Sequence, residues 1–111
     1  MSYYILDGKT PLKVDLLTWA KWFETADRVV KSDYIGDIHI STVFLGLDHG
    51  APFRNEGRPL IFETIIFGGD NDQYQDRYST YREAEIGHQK ALNIVNGSNI
   101  LNEFLSSKDG I

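Results

Sequence analysis

The spacing of apolar and polar positions changes character several times along the chain. Residues 3–6, YYIL, form a short apolar run that predicts a strand or a packed N-terminal arm, and Asp7-Gly8 supplies a turn pair after it. From Leu16 the spacing is helical. Leu16, Trp19, Ala20 and Phe23 fall on one stripe, and Asp15 stands where an N-cap belongs. Trp22 lies off the centre of that stripe, which assigns it to another element or to a partner. From Arg28 the period becomes two. RVVKSDYI and IHISTVFLGL flank Gly36-Asp37, a pair suited to a two-residue hairpin turn. The Gly- and Pro-rich stretch DHGAPFRNEGRP reads as a loop, LIFETIIF as a strand, and GGDNDQYQDRY as a second polar loop.

Thr80 and Glu83 form a T-x-x-E capping box that opens a helix over about 81–95. Its inward face carries Ala84, His88, Ala91 and Val95, with Leu92 beside them, and Asn96-Gly97 is the expected stop. The segment SNILNEFLSS then predicts a short helix that packs Ile100, Leu101, Phe104 and Leu105. The predicted fold is α+β. It has a small antiparallel sheet of three to four strands packed with two to three helices, in the order β-α-β-β-β-α-α. At 111 residues this is a single domain, 1–111, with 97–111 as a short C-terminal helix or tail.

Composition narrows the classes of function. The chain has no cysteine, so disulfides and thiolate metal sites are excluded. No apolar stretch reaches the roughly 18–20 residues of a membrane span, and the start MSYYILDGKT lacks the pattern of a signal peptide, so a cytoplasmic protein without membrane contact is expected. A net charge of −5 argues against generic nucleic-acid binding through a basic face. No cofactor is expected, because neither a GxxxxGK[ST] nor a GxGxxG spacing occurs. Asp70, Asp72 and Asp76 in GGDNDQYQD miss the EF-hand pattern and read as a solvated acidic loop, so no metal is expected either.

Four polar residues stand at the edges of, or inside, apolar segments: Asp48, His49, Glu63 and His88. Glu63 is the sharpest case. It shares a strand face with Ile61, Ile65 and Phe67, while Thr64 shares the other with Leu60, Phe62 and Ile66. A carboxylate in such a run must be paired, hydrogen-bonded or shifted in pKa. One reading is structural: Glu63 accepts from His88 or Ser41, or pairs with an arginine, and His88 is a satisfied core histidine. A second is a small-ligand site, with Asp48, His49, Glu63 and His88 as polar contacts, Arg82 or Arg77 meeting a phosphate, and Tyr78, Tyr74 or Tyr81 stacking on a ring. A third is catalysis, with His49, Glu63 and His88 as acid, base or, with Asp48, metal ligands; no H-E-x-x-H or G-x-S-x-G motif supports it. Apolar residues on both faces of LIFETIIF also predict a homodimer or higher homo-oligomer.

The blocks ISTVFLGLDH (40–49), LIFETIIFGG (60–69) and RYSTYREAEIGH (77–88), with DLLTWAKWFETADR, resemble a family of small proteins of unknown function. That family is widespread in tailed phages and in bacterial genomes, and the resemblance spans roughly residues 3–95. It implies a phage-type accessory protein that acts against a host function. The expectation is a non-enzymatic binding protein that sequesters or blocks a host component, either a defence protein or a small nucleotide-like signal. The alternative is a small hydrolase acting on a nucleotide through a His/Glu site.

Overall fold

The computed structural model describes residues 1–48 and 57–109. Its elements are β1 (Ser2–Asp7), β2 (Thr10–Val14), α1 (Leu16–Phe23), β3 (Val29–Ile35), β4 (Ile38–Phe44), β5 (Leu47–Asp48), β6 (Phe62–Phe67), β7 (Gln75–Tyr78) and α2 (Tyr81–Asp109). The class is α+β, as the pattern predicts. Two antiparallel sheets form, one in the order β2-β1-β5 and one in the order β3-β4-β6-β7.

Local chemistry accounts for the joints. Gly8 opens the two-residue turn between β1 and β2, and Gly36 does the same between β3 and β4. Their φ values of 63° and 59° are ones that glycine adopts without a Cβ penalty. The Asp15 carboxylate accepts from the Thr18 N–H at 2.8 Å and caps α1. Thr80 and Glu83 close their capping box in both directions, each bond 3.1 Å. Trp22 meets another element: its ring stands edge-on to Phe44 at 5.7 Å. Trp19 lies between Tyr3 and Phe23, its ring tilted to both. Leu16, assigned to the buried stripe, is exposed.

Three expectations are corrected. Residues 10–14, TPLKV, form strand β2, because the Gly8 turn folds them back on β1 although only Leu12 and Val14 mark an apolar pattern. The end of the second polar loop is strand β7, which pairs Glu63 with Arg77 and Thr64 with Asp76. Asn96-Gly97 does not stop the helix, so the separate third helix of the expected order does not form; two helices, within the expected two to three, occur among the described residues, and α2 runs unbroken for 29 residues, about 43 Å. Partners on the β6–β7 loop hold it through this stretch: Asn71 Nδ2 donates to Ser98 Oγ at 2.9 Å, and Asn102 Nδ2 donates to Asp70 Oδ2 at 2.6 Å. The acidic loop is therefore a docking element for the helix, not merely a solvated one.

The larger sheet has two unlike faces. Phe44, Thr42 and Ile40 on β4, with Phe62, Thr64 and Ile66 on β6, point to α2 and are fully buried. Ala84, His88, Ala91 and Val95 cover them at helical spacing, as the sequence predicts. The core lies in this layer as two clusters, Phe44, Ile61, Phe62, Tyr78 and Ala84 at one end and Ile40, Ile66, Ala91 and Val95 at the other. His88 sits between them. The opposite face carries Tyr34, Ser32, His39, Ser41, Val43, Glu63, Ile65, Phe67, Gln75 and Arg77, as the register requires. Neither helix packs on it: α2 lies on the other side and α1 lies against β1.

Candidate functional site

Glu63 is on β6 with its carboxylate on this second face, which no helix covers among the described residues and which is termed the uncovered face. It accepts from Arg77 Nε at 2.8 Å and from Gln75 Nε2, both supplied by β7 in cross-strand register. The side chain is only 9% exposed, and the arginine satisfies it. Of the structural alternatives, pairing with an arginine is the one that holds. The strand that carries that arginine reads as loop in the sequence, so the pattern alone does not identify the partner.

His88 is on the other side of the same sheet. Its Nδ1 is 2.7 Å from Thr42 Oγ1, and Thr42 Oγ1 is 2.6 Å from Thr64 Oγ1. Its Nε2 is 2.7 Å from Asp33 Oδ2. The three inner side chains are fully buried, while Asp33 is about half exposed on the edge strand β3. An ionised carboxylate only accepts, so Nε2 carries a proton toward Asp33. With the ring neutral, Nδ1 accepts from Thr42, and Thr42 in turn accepts from Thr64. Every polar atom of the line then has a partner, and the line runs from the core to the surface. Sequence reasoning missed Thr42, Thr64 and Asp33. Two threonines facing each other across β4 and β6 were available as a signal, since Thr42 and Thr64 both interrupt apolar alternation on the inward face.

A hydroxyl, an imidazole and a carboxylate in line resemble the parts of a nucleophilic triad. Here the arrangement is closed. Thr42 has no exposed surface and its oxygen is bonded on both sides, so a substrate cannot reach it. The line instead fixes α2 over three strands.

Tyr78 completes the buried layer. Burial pushes its phenol up to about 12, with the nearby Thr64 hydroxyl acting in the opposite direction. The proximity of Thr64 does not amount to a bond of normal geometry, and the Tyr78 hydroxyl has no hydrogen-bond partner among the described residues. It occupies the notch left by Gly87, where a Cβ would overlap the phenol.

The sequence-predicted site residues are therefore dispersed. Glu63 and His88 lie on opposite faces of one sheet, so they do not share a cleft. Tyr78 lies on the His88 side, Arg82 is exposed on α2, and Asp48 is on β5 of the smaller sheet. His49 lies outside the described residues. Among the described residues no cluster of three or more His, Asp or Glu side chains is placed to hold a metal ion. No helix among them is long and apolar enough to cross a membrane.

The uncovered face offers a different kind of site. The Tyr34 and His39 rings stack 4.3 Å apart at 6°, and the His39 and Phe67 rings follow at 5.8 Å and 27°. Cross-strand pairing puts these three in one row over β3, β4 and β6. Ser32 Oγ fixes His39 Nε2 at 2.8 Å. Tyr34 is 70% and Phe67 42% exposed. Comparison of the chain with protein-family models, with curated proteins and with solved structures found no match.

Proposed function

We propose that the protein is a non-enzymatic binding protein whose contact surface is the uncovered face of the larger sheet. One observation carries the reading: Tyr34, His39 and Phe67 are stacked and held in register, yet the outer two rings face solvent. Ordered aromatic area of this kind contributes to binding at a small entropic cost. The same face has one cation and one carboxylate at its β7 end, Arg77 and Glu63, and they neutralise each other. Such a surface suits a mixed apolar and polar protein patch rather than a strongly charged one. The resemblance to phage and prophage proteins supplies the setting, in which the protein blocks a host component. The closed Thr42–His88–Asp33 line and the separation of Glu63 from His88 weigh against the hydrolase alternative.

The test is retention of a bacterial host protein on the immobilised chain, compared with Tyr34→Ala and Phe67→Ser variants of unchanged melting temperature. Loss of the retained protein in both variants supports the reading. Retention that ignores both variants, or multiple turnover of a nucleotide by a substoichiometric amount of the wild type, overturns it.

A further inference from the structure

The C-terminal part of α2 has a second apolar stripe. Ile100, Leu101, Phe104 and Leu105 are 67%, 56%, 61% and 47% exposed, although the sequence pattern assigns them to packing. At 100° per residue Ile100, Leu101 and Phe104 lie on the side of the helix away from Ala84, His88, Ala91 and Val95, and Leu105 lies at the edge between the two sides. Ser98 and Asn102 are bonded to the β6–β7 loop, which fixes the rotation of this segment and keeps the stripe turned outward.

We propose that this stripe is the contact by which two copies of the chain pair, through antiparallel packing of α2 on α2. Ile94, Gly97, Leu101 and Phe104 recur at intervals of three, four and three, the seam of paired helices, with Ile100 and Leu105 flanking it. Charge selects the occupant. Residues 91–102, ALNIVNGSNILN, contain no charged side chain, in a chain whose net charge is −5. That segment has nothing to attract a basic or acidic partner, and it is a place where two copies of an acidic chain meet without repulsion. Gly97 selects the orientation. A Cβ there would meet nothing within 4 Å, so no contact among the described residues requires the glycine. In a parallel pair Gly97 would face Gly97 and leave a void. In an antiparallel pair Ile94 faces Phe104 and Gly97 faces Leu101 of the second copy, and each layer occurs twice about a two-fold axis near residue 99. The pairing is separate from the uncovered sheet face.

The experiment is sedimentation equilibrium of the full chain up to about 100 µM, far above a micromolar Kd. A wild-type dimer is expected, with association weakened at least about tenfold by Leu101→Lys and by Gly97→Glu. Equimolar mixing of those two variants should restore a dimer. The carboxylate introduced at position 97 of one copy then faces the ammonium introduced at position 101 of the other, and the second Gly97–Leu101 layer is intact. Ile86→Lys, outside the neutral segment, should leave association unchanged. Circular dichroism of each variant separates loss of pairing from loss of fold. A monomeric wild type overturns the proposal, as does a dimer that survives Leu101→Lys. Failure to recover a dimer on mixing overturns the antiparallel register.

Discussion

His88 Nε2 lies 2.7 Å from Asp33 Oδ2, and this bond ties the N-terminal third of α2 to the edge strand of the larger sheet. The other ring nitrogen holds Thr42 on β4, which holds Thr64 on β6. Three strands and a helix thus meet through one imidazole, between the two hydrophobic clusters of the core.

The first prediction concerns the energy of that line. His88→Ala leaves a cavity and two buried hydroxyls with an incomplete network, and should cost about 2–4 kcal/mol in urea unfolding. Asp33→Asn acts at the half-exposed end and should cost less than about 1 kcal/mol. Replacing the line together, with His88→Leu, Thr42→Val and Thr64→Val, should cost clearly less than the sum of the three single changes. Additive losses would show that the groups act independently.

Much of this layer was legible in the sequence because local rules are strong there. The capping box at Thr80 and Glu83 and the helical spacing of Ala84, His88, Ala91 and Val95 placed α2 on the sheet. The period-two run and Gly36-Asp37 placed the β3–β4 hairpin. What the sequence concealed depends on contacts remote in the chain. Gly97 looks like a helix stop because nothing local shows that Asn71 and Asp70 reach across to Ser98 and Asn102. Arg77 looks like loop because β7 is short and polar, and only its pairing with β6 makes it a strand. Glu63 is visible as an anomaly, but its partner sits 14 positions away on that unrecognised strand.

The second prediction follows from the Glu63 pairing. Glu63→Gln keeps the size and removes the charge that Arg77 Nε and Gln75 Nε2 share. It should destabilise by about 1–2 kcal/mol. In a double-mutant cycle with Arg77→Met, a favourable coupling of at least about 0.5 kcal/mol is expected. Zero coupling would mean that the carboxylate and the guanidinium do not support each other.

The third prediction is an acid limb from Glu83. Desolvation at the start of α2 raises its pKa, but hydrogen bonds from Arg58 and Thr80, with the charge of Arg58, outweigh that and hold the carboxyl below its ordinary value of 4.5. A depressed folded pKa stabilises the fold above the unfolded value, and the contribution disappears as pH falls through the folded value. The stability difference between wild type and Glu83→Gln should therefore be constant above about pH 5.5 and shrink below about 4.5. The measurement is urea midpoint against pH for both proteins. A difference that grows on acidification would reverse the sign assigned to Arg58 and Thr80.

The fourth prediction sets the two glycines of α2 against each other and adds an alkaline limb. Alanine is favoured over glycine inside a helix by up to about 1 kcal/mol. At Gly97, where a Cβ meets nothing within 4 Å, Gly97→Ala should deliver that gain to the monomer, measured at dilute protein concentration. At Gly87 the Tyr78 hydroxyl already fills the space, so Gly87→Ala should instead cost about 1–3 kcal/mol or more through overpacking. Tyr78→Phe should not repair this, because the ring as well as the hydroxyl lies in the notch. With Gly87 intact, Tyr78→Phe should be nearly neutral at pH 7, since the phenol has no hydrogen-bond partner to lose among the described residues. The phenol reveals itself at high pH. The unfolded chain releases its proton near the ordinary value of 10.0, and the folded chain holds it to about 12. Stability must therefore fall as pH rises from 10.0 toward 12, and Tyr78→Phe should flatten that fall. Equal alkaline slopes in the two proteins would show that the phenol ionises as readily in the fold as outside it, and that the notch beside Gly87 is open to water.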